Sequence, residues 1–394
     1  MKFSIRNYSR LARAVATQNV PVYAHFGVTH RCNLTCKMCG IWRYGNAKEE
    51  LSIPQIAEVA KRMKRLGVVQ VSLGGGEPFA REDLADVVHC FVQEGLNTRV
   101  LTNGIGLDMS QLDRMLDDGV ANFSISLDSL YPERFDYICE YEGAWDEAVQ
   151  TMIHIGRRLH GVRGALPTIN CVVSNLNLEE LPDIVRFAKS IGFAVSLLPI
   201  ELLESESDGV KNWEGRFIRY RPEMGLHSGD SVDQVHQRVD RAYDQILRMK
   251  KEGWPILNSS KYLEASRQYL KTGRFPTEGC DAGKLYFSIS PNGQFTICHR
   301  TKHQYVSFLD PDFETYFRSA AYEQTRMLEA GACEGCMRAC WIDTSAMFRH
   351  LQGFFETAQL SLQNRQYDIP TWDNVQRWKR TEPISIVPEL APAK

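Results

Sequence analysis

Between residues 22 and 200, apolar runs of strand length alternate with amphipathic stretches of helix length. This alternation restricts the fold more than any other feature of the 394-residue chain. The predicted strands are Val22 to Thr29, Val68 to Leu73, Thr98 to Leu101, Ala121 to Leu127, Thr168 to Val173 and Ala194 to Leu198. Between them, helices are predicted over Pro54 to Leu66, Asp83 to Glu94, Met109 to Leu116, Trp145 to Leu159 and Leu178 to Ile191. The first shows the reasoning: Ile56, Val59, Met63 and Leu66 recur at helical spacing, Ser52 is placed to cap, and Gly67 to stop. Strands that alternate with helices run parallel, because each return needs a crossover. About six units fall short of the eight that close a barrel, so the expected fold is α/β, a partial (β/α)6 TIM-type barrel open on one side. An open doubly wound sheet is the competing topology.

The rest of the chain divides by texture. Residues 1–21 form an N-terminal extension with a short basic helix around Arg10 to Ala16. Residues 22–200 are the barrel. Residues 201–275 comprise a polar lid with Gly209, Gly215, Gly225 and Gly229, then helices over Val235 to Lys251 and Tyr262 to Leu270. Residues 276–345 form a small cysteine-rich α+β domain. It holds a hairpin, Leu285 to Ser290 and Gln294 to Ile297, turning at Pro291-Asn292-Gly293. Residues 346–394 hold the end of a helix around Ser345 to Leu360 and a tail, extended after Asp368.

Composition narrows the function. With 43% hydrophobic and 24% charged residues the chain is not disordered. Its 46 Lys and Arg against 48 Asp and Glu give a net charge of -2, without the basic excess of a nucleic-acid binder. No apolar window is long enough for a membrane span, and no signal-peptide core follows Met1, so a cytoplasmic location is expected. In a reducing compartment, clustered cysteines act as metal ligands or catalytic groups more often than as disulfides.

The chain has 11 cysteines in two clusters and three isolated positions. Cys32-x3-Cys36-x2-Cys39 follows the first strand directly, at the carboxyl end of the sheet where active sites collect. Three thiolates can hold three irons of a cubane and leave the fourth open. A zinc site is the alternative, with His30 as a fourth ligand. Cys280, Cys298, Cys333, Cys336 and Cys340 surround the hairpin and are enough for one four-thiolate shell, iron–sulfur or zinc, with one to spare. Cys90 is assigned to packing, Cys171 to packing with proximity to the substrate as the alternative, and Cys139 to packing or to hydrogen-atom donation to a substrate.

The segment Thr29-His30-Arg31-Cys32-Asn33-Leu34-Thr35-Cys36-Lys37-Met38-Cys39 resembles the signature of the radical S-adenosylmethionine superfamily. Met38 stands where that signature is often aromatic. Four further segments resemble the superfamily in order, each at a strand end: Gly74 to Pro78, Thr102-Asn103-Gly104, Ser124 to Asp128, and more loosely Val173-Ser174-Asn175. The resemblance implies a [4Fe–4S] cluster on Cys32, Cys36 and Cys39, with S-adenosylmethionine chelating the open iron. Gly75, Gly76 and Glu77 would meet the methionine amino group, Asn103, Ser126 and Asp128 the ribose and carboxylate, and Asn175 the adenine. One electron from a flavodoxin- or ferredoxin-type donor would cleave the sulfonium to methionine and a 5′-deoxyadenosyl radical, which takes hydrogen from an unactivated carbon.

The late cysteines resemble the SPASM and twitch auxiliary-cluster domains. No cysteine follows Cys340, so the resemblance implies one auxiliary [4Fe–4S] cluster, on Cys280, Cys298, Cys333 and Cys336, with Cys340 able to replace either of the last two. A fully ligated cluster would favour a role as electron acceptor over substrate binding. Among such enzymes, peptide or protein maturation is the leading expectation. Dehydrogenation or epimerisation of a sugar, aminocyclitol or other small molecule is the rival. The short stretch before residue 22 lacks room for the leader-recognition domain of many peptide maturases. Arg216, Arg219 and Arg221 in the lid are candidates for an anionic substrate. A non-catalytic iron–sulfur or zinc protein is the reading from another class. No general base or radical-quenching residue is assigned by these motifs.

Overall fold

The computed structural model describes residues 20–39, 41–44, 50–200, 231–275, 280–298, 306–333, 335–337, 343–345, 349, 356, 360 and 367–381. Strands β1 (Tyr23–Thr29), β2 (Gln70–Gly75), β3 (Asn97–Thr102), β4 (Asn122–Ser126), β5 (Thr168–Val173) and β6 (Ala194–Pro199) fall on the six predicted ones. Helices α1 (Ile53–Leu66), α2 (Leu84–Gln93), α3 (Met109–Asp117), α4 (Pro132–Cys139), α5 (Ala144–Arg158) and α6 (Leu181–Ser190) intervene. The sheet order β6-β5-β4-β3-β2-β1 sets each strand beside its predecessor, all parallel. An order without reversal has no switch point, so the doubly wound alternative is excluded and the open half-barrel stands.

The strands are two-faced, and this sets what the barrel holds. One face carries Ala24, Phe26, Val28, Val71, Leu73, Val100, Phe123, Ile125, Ile169, Val195 and Leu197, buried in a continuous core with the helices. With a period of two, the other face carries Gln70, Ser72, Asn97, Arg99, Asn122, Ser124, Ser126, Thr168, Asn170 and Ser196. Asn122 Nδ2 donates to Asn97 Oδ1 at 2.7 Å, and Arg99 Nη1 to Ser124 Oγ at 2.8 Å and Thr168 Oγ1 at 3.0 Å. Helices cover the apolar face, so the polar face lines the lumen.

Helices α7 (Val232–Lys251) and α8 (Ser260–Thr272) pack against each other and against the β6 side. Strands β7 (Tyr286–Ile289) and β8 (Phe295–Thr296) form the predicted hairpin. The hairpin is not an isolated unit: β7 pairs in parallel with β1, from Tyr23 opposite Tyr286 to Phe26 opposite Ile289, and lengthens the barrel sheet to eight strands. Phe287, Phe295, Phe308, Phe313 and Phe317 pack behind it with ring centroids 4.6–6.0 Å apart.

Several elements lie outside the sequence expectation. Helix α4 is short, Pro132 at its start and Phe135 and Ile138 its main inward apolar residues, so its periodic signal is weak. Helices α9 (Phe313–Phe317) and α10 (Ala320–Gly331) follow the hairpin. The tail expected to be extended contains α11 (Trp372–Gln376), capped by Thr371 Oγ1 accepting from Asn374 N at 3.2 Å. The tail straps the outer helices: Arg380 N donates to Leu130 O at 3.0 Å, Tyr367 Oη to Gly156 O at 2.9 Å, and Lys379 pairs with Asp146 at 3.1 Å. The lid arginines, the N-terminal helix, most of the Ser345 to Leu360 stretch and Cys340 lie outside the described residues.

Candidate functional site

The cysteine loop leaves β1 at Thr29 and is fixed from three sides. Leu34 is buried under it, Lys37 N donates to Ile138 O at 2.9 Å, and Cys39 N donates to Cys36 O at 3.0 Å. Lys37 is held by Glu140, Nζ to Oε1 at 2.7 Å, and lies over the Tyr137 ring. Glu140 also accepts from Thr35 Oγ1 at 3.1 Å. It ends α4 with φ 54°, a left-handed conformation costly for a non-glycine residue, which aims the carboxylate back at the loop. Met38 packs with Ile138, Leu176 and Ile200, a flexible apolar filler in the place of an aromatic side chain.

Cys32, Cys36 and Cys39 are all half-buried, and Cys32 feels the charge of the other two. Burial, the largest cause, pushes the Cys32 thiol up to about 12, and nearby negative charge adds to it. A cationic metal centre reverses that logic by stabilising thiolates. Among the described residues no three Cys, His, Asp or Glu side chains converge as a single metal ion requires. A cubane needs a wider spacing, one thiolate to each iron, and three mutually close, half-buried thiols on one loop fit it. Cys139, left between two roles, is buried with its thiol hydrogen-bonded to that of Cys36, which raises its pKa.

Gly74 to Pro78 docks directly on this loop. Gly76 N donates to Thr29 O and Glu77 N to Arg31 O, both at 2.8 Å. The glycines are required by that contact. A Cβ at Gly75, where φ is +122°, would lie 2.1 Å from Thr29 O, and one at Gly76 would lie 2.0 Å from Arg31 O. Their close approach is therefore to the cysteine loop's own backbone. Glu77 turns inward, 2% exposed: its carboxylate accepts from Phe79 N at 3.1 Å, Thr102 Oγ1 at 2.8 Å and Asn103 N at 2.7 Å. Burial raises it to about 7 against those three donors. Glu77 thus ties the ends of β2 and β3 together.

The other predicted residues gather on the same rim. Asn103 Nδ2 donates to Asn33 Oδ1 at 2.8 Å, and Asn33 Nδ2 to Ile105 O at 2.8 Å, joining the third strand end to the cysteine loop. Ser126 ends β4, half-buried on the lumen face. Asp128 is buried just beyond it, accepting from Val172 N at 2.7 Å. Asn175 accepts from Arg238 of α7 at 2.8 Å. Beneath, Asn177 donates to Asp128 O at 2.7 Å and Val172 O at 2.8 Å. Cys171 faces the helices, away from the lumen, as packing requires. The sequence reading missed Asn33, Asn177 and Glu50. Glu50 accepts from Thr29 Oγ1 and pairs with Arg31 at 3.0 Å and Arg81 at 3.7 Å.

Burial raises the Asp128 carboxyl to about 7. A carboxyl whose folded pKa exceeds its unfolded value stabilises the fold while protonated, and that contribution is lost as pH rises through the folded pKa. The wild-type chain is expected to lose roughly 2 kcal/mol from this group between about pH 5.5 and 8.5, and Asp128→Asn, which keeps the Oδ1 acceptor, to lose correspondingly less. Denaturation midpoints of the two proteins at both pH values check this. Parallel pH slopes contradict it.

The late cysteines are partly visible. Cys280 Sγ lies 3.0 Å from Tyr286 Oη at the start of β7 and feels the charge of Cys333. Cys333 Sγ accepts from Gly335 N at 3.4 Å, while Cys298 and Cys336 are buried. Cys280 and Cys333 thus lie near one another, and the described residues assign no closed four-thiolate shell.

Residues 27–188 match the Radical SAM superfamily. The PqqA peptide cyclase of Rhizobium meliloti (strain 1021) is 30% identical over 301 residues, covering 76% of this chain and 73% of that protein. A probable GTP 3′,8-cyclase of Methanocaldococcus jannaschii is 25% identical over 190 residues, 46% of this chain and 60% of that protein. Among solved structures, Streptococcus suis SuiB bound to S-adenosylmethionine superposes with a TM-score of 0.57 at 15% identity, covering 84% of this chain and 74% of that one, a likeness of fold.

Proposed function

The chain belongs to the radical SAM superfamily, and from that premise we propose that it is a peptide-maturing enzyme whose reactive cluster sits on Cys32, Cys36 and Cys39. Membership implies a [4Fe–4S] cluster and S-adenosylmethionine, which together supply a 5′-deoxyadenosyl radical. The chain's own residues position and enclose. The Lys37–Glu140 pair and the Ile138 carbonyl hold the cysteine loop. Gly75 and Gly76 press the next strand end onto it. Glu77 fixes the rim from within, and Asn103, Ser126, Asp128 and Asn175 are the residues proposed to meet the cofactor there.

The peptide substrate is carried by one observation, the 301-residue alignment to a peptide cyclase, which extends well past the barrel. The solved SuiB in complex with its precursor peptide SuiA shares this fold and is compatible with the reading. An auxiliary [4Fe–4S] cluster on Cys280, Cys298, Cys333 and Cys336, or with Cys340, would supply an electron acceptor beside β7. Similarity to a GTP cyclase supports a small-molecule substrate as the second reading. The test is co-expression of the chain with each short reading frame flanking its gene, followed by mass spectrometry of the peptides. A peptide lighter by two hydrogens, dependent on Cys32, Cys36 and Cys39, is expected. Unmodified peptides, with 5′-deoxyadenosine formed only when a peptide-free metabolite pool is supplied, would transfer the assignment to the second reading.

A further inference from the structure

Across the eight strands of the described residues, Arg99 is the only Lys, Arg, Asp or Glu. It stands on the lumen face of β3, between Asn97 and Leu101. Its Nη1 donates to Ser124 Oγ at 2.8 Å and Thr168 Oγ1 at 3.0 Å, from the two next strands. Those hydroxyls orient the guanidinium without neutralising it. Among the described residues no carboxylate pairs with Arg99, and the remaining donors on Nε and Nη2 have no protein partner. Neither atom is among the buried polar atoms without a partner, so each keeps some accessible surface on this half-buried, lumen-face residue.

An unpaired charge inside a sheet costs stability unless something met there repays it. Burial lowers the Arg99 pKa only to about 10, so it stays a cation at neutral pH. At ~3.3 Å per residue, its place three residues before Thr102 sets it about 10 Å below the rim of strand ends that carries the motifs. The His25 ring and Leu101 pack closely at Gly74, where an added Cβ would lie 2.9 Å from the ring and 3.0 Å from Leu101, and so wall this part of the lumen.

We propose that Arg99 is the substrate anchor of the lumen, its free Nε and Nη2 edge binding a carboxylate of the substrate so that the carbon to be activated is held up at the rim. The proposal rests on the radical SAM reading and specifies its substrate as a carboxylate bearer, such as an acidic side chain or the carboxyl end of a peptide. The exposed edge is the two-donor fork that matches a carboxylate side-on. One positive charge among hydroxyls and amides suits a monoanion. A phosphate dianion calls for a second cation, and the strands offer none.

The test uses the reconstituted holoenzyme with propionate, its neutral isostere propionamide and inorganic phosphate as probes. Propionate is expected to protect Arg99 from phenylglyoxal, read by peptide mass spectrometry, while propionamide does not and phosphate does so no better than propionate. In equilibrium dialysis with labelled propionate, Arg99→Gln should lose about tenfold or more in affinity, as expected when a charged hydrogen-bonded partner is removed. If Arg99→Gln fails to fold, judged by its melting curve, the labelling of wild-type protein decides alone. Equal protection by propionamide, stronger protection by phosphate, or unchanged propionate binding in a folded Arg99→Gln would overturn the proposal. Failure of the wild-type enzyme to cleave S-adenosylmethionine would instead overturn the radical reading, so the two failures are separable.

Discussion

Replacing Cys32, Cys36 and Cys39 together with Ala is expected to remove about four irons per reconstituted chain and to abolish reductive cleavage of S-adenosylmethionine. The loss should be complete, because these half-buried thiols share one loop and Cys139, hydrogen-bonded to Cys36, is a single thiol that cannot replace three ligands. The fold should survive. The loop is held by Leu34, by Lys37 N on Ile138 O, and by Gly76 N and Glu77 N on Thr29 O and Arg31 O, none of which uses a thiol. Iron at the proposed auxiliary site near Cys280 and Cys333 should remain, so the variant separates the reactive cluster from the proposed auxiliary one. Iron and sulfide analysis with the spectrum of the reduced protein reads the result. A triple variant with its full iron content would place the reactive cluster elsewhere.

Substituting Gly76 with Ala is expected to cost about 3 kcal/mol or more and to reduce cluster retention with it. The added methyl would sit 2.0 Å from Arg31 O and 2.8 Å from His30 O. Both obstacles are backbone, so no side chain can swing aside. Relief requires the strand end to lift off the cysteine loop, which breaks the 2.8 Å bonds of Gly76 N and Glu77 N. Gly75→Ala should behave alike, with Thr29 O at 2.1 Å and a left-handed backbone added to the clash. Gly331→Ala is the control. It lies in α10 with nothing within 4 Å of an added Cβ, and should be neutral or stabilising by up to about 1 kcal/mol. Denaturation midpoints and iron content of the variants measure both effects.

What could be read in advance was what local pattern encodes. The six strands showed because each alternates or runs apolar for strand length, and the motifs showed because they sit where strands end. Helix α4 was too short and too weakly periodic to register, yet it delivers Ile138, Cys139 and Glu140 to the cysteine loop. The tail helix was masked by polar, proline-containing surroundings, while only Val375 of it is buried. The joining of β7 to β1 depends on pairing across more than two hundred residues, which local periodicity does not carry. Asn33, Asn177, Glu50 and Arg99 are single polar residues whose meaning comes from partners on other elements. That the Glu77 carboxylate accepts from Phe79, Thr102 and Asn103 depends likewise on groups brought in from the next turn and the next strand end. The spacing of three cysteines, by contrast, needs no tertiary partner to be legible.

The central claim is that this chain turns an electron and S-adenosylmethionine into a carbon radical. The most direct test is to reconstitute it anaerobically with iron and sulfide, reduce it with dithionite, add S-adenosylmethionine and quantify 5′-deoxyadenosine and methionine. Equal amounts of both, formed by the wild-type chain and lost when Cys32, Cys36 and Cys39 are replaced, is the predicted result. Neither product from a fully reconstituted and reduced wild-type protein would contradict the account.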